Sequence, residues 1–190
     1  IYRIYYEICT EWRTNNDMVY LLNNMDHSGL FAAHHAKELN DEGAESCEYI
    51  KTPVSKDILS LTDHKRIERK FNILMVGHLS GIATISGINL FTDEMLPILY
   101  NSLDDNFIVS IVGDHSKSDS SIIHKLSKFN NVKLIGQVEN LSAEYLNSDL
   151  LLVPTPIELG IRVRIITALA QGVIIVAHSS NKKGIPELHD

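Results

Sequence analysis

The chain has 190 residues, 44% of them hydrophobic and 22% charged, and its 17 Lys and Arg against 24 Asp and Glu leave a formal net charge of −7. That is the composition of a globular protein with a sizeable core, and its acidic balance excludes a nucleic-acid binder that neutralises phosphates over a broad surface. Two cysteines without motif spacing, Cys9 and Cys47, fit a reducing cytoplasm, and no apolar run has the length that crosses a bilayer.

The chain opens mid-pattern at Ile1 without a methionine or a signal peptide, as a piece of a longer protein would. Ile1, Ile4, Tyr5, Ile8 and Trp12 recur at helical spacing, so the first stretch is expected to bury one face of a helix. The run Met18 to Leu22, closed by two asparagines, suits a buried strand. Leu30, Phe31, Ala33 and Leu39 then mark a helix stopped by Gly43, with His34 and His35 on a charged, solvated segment. "SCEYIKTP" resembles another strand, ended by Pro53. Residues 1–50 are thus expected to form two helices and two short strands that cannot complete a sheet alone. Residues 54–70 are polar and aperiodic, and are expected to connect two domains.

From Phe71 the pattern becomes regular: "FNILMV", "FIVSIV", "VKLIG", "LLLVP" and "VIIVA" are five apolar runs of strand length separated by helical segments. Such runs imply a parallel sheet covered on both faces. With right-handed crossovers, five strands most often order as 3-2-1-4-5, the half-unit of a doubly wound nucleotide-binding fold, so the fold class expected is α/β. Ligands in that fold bind beyond the carboxyl ends of the first and fourth strands. Gly77 to Gly81 and Thr155 to Gly160 are the loops at that place.

The second loop leads into "GIRVRIITALAQG", where Arg162 and Arg164 stand near the positive end of a helix dipole that disfavours cations by about 0.3–1 kcal/mol each. Two explanations are open. An anion occupies the helix end, with Gly160 letting backbone N–H groups approach a phosphate and the guanidinium groups donating paired hydrogen bonds to it. Alternatively Arg162 pairs with Glu158 on the surface and Arg164 faces solvent.

The segment "PTPIELGIRVRIITALAQGVIIVAHSSNKKGIPEL" resembles the donor-binding segment of retaining group 1 glycosyltransferases. Those enzymes carry a Gly-rich turn, an Arg-x-Lys pair, Glu-Ala-x-Ala-x-Gly, an apolar strand and a Gly-Ile-x-Glu loop. Upstream, "ILMVGHLS", "GINLFTDEMLPIL", "FIVSIVG" and "NVKLIGQVENLSAEYLNSDLLLVP" are similar, in order, to the segments preceding that motif, and the first fifty residues are similar to the end of the family's acceptor domain. The resemblance implies a GT-B arrangement. Residues 1–53 would end the acceptor domain, 54–70 would be the linker, and 71–190 would be the Rossmann-like domain that binds a nucleotide-activated sugar. Arg162 and Arg164 would hold the diphosphate, Glu158 the sugar, and Gly160 with the following amides the phosphate. Gly77 and His78 would approach the donor, and the loop from Gly136 to Glu139, Val138 included, would lie beside the base.

Two positions depart from the family. Thr167 stands where a second glutamate usually holds the ribose hydroxyls, and the first loop has His78 in place of a basic residue. The implied reaction is sugar transfer from a nucleoside diphosphate sugar with retained configuration, for polysaccharide or glycoconjugate synthesis, with no cofactor and no metal. The acceptor, whether glycan, lipid or protein, and any peripheral membrane contact would belong to the first domain. A noncatalytic sugar-nucleotide-binding or assembly subunit and a nonhydrolysing sugar-nucleotide epimerase, using His78 and Glu158, are the alternatives. His78, His115 and His178 each follow an expected strand, yet strand order separates His178 from His78 by about 10 Å, so a shared metal site is disfavoured.

Overall fold

A computed structural model describes residues 16–45, 47–54, 69–158 and 160–188. The helix expected before residue 16 and most of the 54–70 connector lie outside them. The described residues fall into two compact units. One gathers those up to Thr52 with Leu159–Ile161 and the stretch from Lys182 onward. The other comprises Pro53–Glu158 and Arg162–Asn181.

In the smaller unit, residues 16–23 form helix α1, Ser28–Leu30 strand β1, Ala33–Asp41 helix α2 and Cys47–Tyr49 strand β2. The two strands pair in parallel, Ser28 opposite Cys47 and Leu30 opposite Tyr49. Leu22, Ala36, Ala44 and Cys47 are buried together, with Val19, Leu30 and Leu39 against them. Asn40 pins β2 at one residue, since its amide donates to the Cys47 carbonyl at 2.8 Å and accepts from the Cys47 N–H at 3.1 Å. Gly160, at φ +44°, packs here against Gly184, where a Cβ would come 2.8 Å from the Gly160 carbonyl oxygen.

Three expectations are corrected in this unit. Met18 to Leu22 is helical, not a strand. Val19 and Leu22 turn inward while Met18, Tyr20 and Leu21 are exposed, a spacing of three that a five-residue apolar run is too short to distinguish from a buried strand. Leu30, expected on the helix, ends β1, and the helix begins only at Ala33. His34 and His35 are half-buried with ring centroids 4.1 Å apart, so they do not form a solvated face.

The larger unit is built on five parallel strands: β3 Phe71–Val76, β4 Phe107–Val112, β5 Val132–Gly136, β6 Leu150–Val153 and β7 Ile175–Ala177. Their spatial order is β5-β4-β3-β6-β7, which is the expected 3-2-1-4-5. Parallel strands need crossovers, and helices supply them. Ile82–Leu90 (α3), Phe91–Met95 and Leu96–Leu103 (α4) run on from β3. Ser120–Ser127 (α5), Leu141–Leu146 (α6) and Val163–Ala170 (α7) follow β4, β5 and β6.

The middle of the first crossover is a π turn, in which the Leu96 N–H bonds the Phe91 carbonyl five residues back. Pro97 explains the irregularity, because it has no N–H to give and its ring crowds the carbonyl four residues earlier. The core against the sheet includes Leu79, Ile88, Phe91, Leu96 and Phe107, all fully buried, each contributing about 1.5–3 kcal/mol through the apolar surface it removes from water. Asp119 caps α5 by accepting from the Ser121 N–H at 2.8 Å, and Asn140 caps α6 through the Ala143 N–H.

Candidate functional site at the carboxyl edge of the sheet

Strands β3, β4 and β5 are each followed by or end in a glycine, and these lie side by side. The Gly77 N–H donates to the Val112 carbonyl and the Gly113 N–H to the Gly136 carbonyl, both at 2.9 Å. A Cβ on Gly113 would lie 2.0 Å from the Gly77 carbonyl oxygen, so only glycine permits this approach. β5 gains one residue against β4 just before Gly136, a bulge of the kind that re-aims a strand end. The result is a row of bare backbone along the edge where this fold binds ligands.

Into that edge comes Arg164. α7 starts one residue after Arg162, which is its N-cap, so Arg164 lies in the first turn. Its guanidinium donates to the Val76 carbonyl, 88 residues earlier, and to Thr155 Oγ1 at 3.1 Å. Nη1 lies 2.7 Å from where a Cβ on Gly77 would be. Nε is buried with no hydrogen-bond partner among the described residues. The crevice lined by Gly77, Thr84, Gly87, Thr155 and Arg164 keeps free room of about 10 Å³, space for one water. Burial, then the neighbouring charge of Arg162, pulls the Arg164 pKa down to about 10. Tyr145, fully buried, donates its hydroxyl to the Arg164 carbonyl at 3.3 Å, and burial pushes its own pKa up to about 12.

Arg162 is held differently. Its Nε donates to Asn181 Oδ1 at 3.2 Å and Nη2 to the Ile157 carbonyl at 3.0 Å, and burial lowers its pKa. The Thr155 carbonyl accepts from Ser180 Oγ at 2.9 Å and Asn181 Nδ2 at 3.3 Å, so one residue touches the supports of both arginines. Gly87 lets α3 approach this loop, since a Cβ there would lie 3.1 Å from Thr155 Oγ1. Among the described residues the ion pairs are Lys51–Glu187, Arg69–Asp149 and Lys125–Asp93, and neither arginine takes part in one. Of the two explanations offered for the arginines, solvent exposure of Arg164 is excluded.

The other residues expected at the site are scattered around this centre. His78 and Glu158 are exposed in the loops after β3 and β6, and Val138 is half-buried after β5. Gly136, buried at φ +83°, has the His115 ring beside it, with Cε1 3.3 Å from a Cβ position. Gly160 clusters with the smaller unit. Thr167 donates its hydroxyl to the Val163 carbonyl at 3.1 Å, within its own helix. Asp114 stands near His78 and His115, and the Ser116 backbone N–H does most to hold its carboxyl below the usual range. Among the described residues no cluster of three or more His, Cys, Asp or Glu could hold a metal ion.

Asn181, Tyr145, Thr84 and Gly113 escaped the sequence reading, and Thr155 entered it only as the start of a loop. Thr155 had a usable signal, being a polar residue that ends an apolar strand run and is here 1% exposed. Asn181 had none, lying in the polar stretch "HSSNKK".

The five-stranded order, with helical crossovers between parallel strands, defines a protein of the doubly wound α/β class. A sequence model described as glycosyl transferases group 1 matches residues 70–190, and the chain belongs to that family. No curated protein matches the chain significantly. Among solved structures, TarM is similar with a TM-score of 0.69 at 15% identity, covering 90% of this chain and 34% of that one. Anabaena Alr3699/HepE, solved with UDP and glucose, gives 0.71 at 14%, covering 93% and 50%. The pneumococcal O-GlcNAc transferase GtfA, solved with UDP and GlcNAc, gives 0.55 at 18%, covering 84% and 32%. At these identities the likeness is one of fold, and the chain spans a third to a half of those structures.

Proposed function

We propose that the larger unit binds a nucleoside diphosphate sugar and that the protein transfers the sugar with retention of configuration, in polysaccharide or glycoconjugate synthesis. The observation that carries this reading is the pair of partly buried arginines without an acidic partner among the described residues. Two neighbouring cations raise each other's cost, and a buried guanidinium nitrogen without a partner raises it further. A diphosphate at the mouth of the crevice would relieve the first by its charge, meeting Arg162 at the cap and the first N–H groups of α7. UDP in two structures of the same fold supports a uridine nucleotide as the first ligand to try.

Retention by a front-face route asks for stabilisation of the departing diphosphate more than for a side-chain acid or base. A preorganised cationic crevice meets that demand. Glu158 would contact the sugar, Gly136 and Val138 the base, and Gly77 and His78 the phosphates. The acceptor belongs to the domain that residues 1–53 would end, joined through the 54–70 linker. None of the described helices is long and apolar enough to cross a membrane. A cytoplasmic location goes with this reading, on the cysteine pattern.

Thr167 favours a second reading, a noncatalytic sugar-nucleotide-binding subunit, because its hydroxyl is engaged within its own helix. Calorimetric titration with UDP, GDP and ADP, followed by incubation with the corresponding sugar nucleotides and detection of released nucleoside diphosphate, separates the two. Binding with release supports transfer. Binding without release supports the subunit, and no binding of any nucleotide contradicts both.

A further inference from the structure

Arg162 and Asn181 mark two crossings of the chain. Arg162 is the first residue of the larger unit after Leu159–Ile161, and Asn181 is the last before Lys182. Arg162 precedes its helix and Asn181 ends a three-residue 3-10 turn, Ser179–Asn181, so no long element holds either side chain. A free arginine side chain samples many rotamers, and ordering it on ligand binding costs affinity.

Asn181 removes that freedom. It is 4% exposed and three hydrogen bonds engage its amide: Oδ1 accepts from Arg162 Nε, and Nδ2 donates to the His178 carbonyl at 2.8 Å and to the Thr155 carbonyl. With Nη2 on the Ile157 carbonyl, Arg162 Nη1 is left without a protein partner among the described residues. Thr155 in turn accepts from Arg164, so the amide ties both cations to one loop. The side chain is neutral, which matters. A carboxylate would also accept from Nε, but its charge would cancel that of Arg162, whereas an amide orients the cation and leaves its charge available.

We propose that Asn181 is a positioning residue that presents Arg162 Nη1 to the diphosphate without neutralising it, an inference that rests on the diphosphate reading above. The test is calorimetric titration of the chain with UDP and, separately, inorganic pyrophosphate. Asn181→Ala is expected to weaken both by about three- to tenfold, and to weaken them less than twofold further in an Arg162→Ala background, because the two residues then act as one unit. Asn181→Asp, which keeps the acceptor for Arg162 Nε but loses the two Nδ2 donations, is expected to weaken both more than about tenfold.

Asn181→Ser is too short to reach Nε, and it carries the same cycle if the alanine variant does not fold. Equal losses in the two backgrounds would assign Asn181 a merely structural role and overturn the proposal. So would full-strength binding by Asn181→Asp, or weakening by Arg162→Ala with none from Asn181→Ala. Indifference of UDP and pyrophosphate binding to Arg162→Ala would overturn the diphosphate reading itself, and this proposal with it.

Discussion

The guanidinium of Arg164 occupies the space that a side chain at Gly77 would need, with Nη1 2.7 Å from the position of a Cβ there. The two residues lie on different crossovers, and their approach brings the end of β3 and the first turn of α7 to one point. Glycine at the first place and arginine at the second are therefore a single requirement of the crevice.

Gly77→Ala should displace the guanidinium, since the added Cβ would also stand 2.8 Å from Thr84 Oγ1. The expected result is a loss of about 1–3 kcal/mol in stability and roughly tenfold in UDP affinity. Gly113→Ala should cost more stability, because its Cβ would meet backbone, the Gly77 carbonyl oxygen, and not a side chain that can swing aside. Urea denaturation of the three proteins gives the order, and equal midpoints would contradict it.

Arg164→Met should trade ligand binding for stability. Burial pulls the Arg164 pKa down to about 10, below the usual guanidinium range, so at neutral pH folding bears the cost of a poorly compensated charge. Above about pH 10 the folded chain gives up this proton before the unfolded one does, so stability arising from this group rises with pH from about 10 upward. The methionine variant lacks that rise. Without ligand it is expected to be more stable than wild type by about 1 kcal/mol at pH 7 and to lose this lead above pH 10. Denaturation midpoints of both proteins across that range are the check, and a constant difference would contradict the assignment.

Much of the larger unit was legible because its strands are near-continuous apolar runs, and right-handed crossovers leave few orders for five of them. The placement of Gly77, Arg162 and Arg164 at the carboxyl edge of the sheet was legible for the same reason, since the strand order locates that edge. How Arg164 is held was not legible. Its partners are a main-chain carbonyl, Val76, and a threonine, Thr155, and neither leaves a pattern in sequence. Asn181 was invisible because a buried amide in a polar loop reads as surface. In the smaller unit, Met18 to Leu22 misled because five residues are too few for periodicity to separate helix from strand.

Thr167→Glu should supply a carboxylate at the position where the resemblance to group 1 enzymes implies one. Among the described residues the Thr167 hydroxyl bonds only the Val163 carbonyl of its own helix, so the replacement removes little. A carboxylate accepting from ribose hydroxyls is expected to tighten UDP by roughly tenfold and to leave inorganic pyrophosphate unchanged. Titration of both ligands is the check. Tightening of pyrophosphate as well, or of neither, would mean that α7 does not face a ribose.

Heat protection by UDP is the most direct test of the central claim that the arginine pair holds a diphosphate. A ligand raises the melting temperature only through the folded state it binds. UDP should protect the wild-type protein, while Arg164→Ala and Arg162→Ala, each lacking a charge-assisted contact of about 1.5–3 kcal/mol, should need roughly ten to a hundred times more UDP for the same shift. Arg164→Lys should fall between, keeping the charge without the planar fork. Equal protection of wild type and both alanine variants would contradict the account.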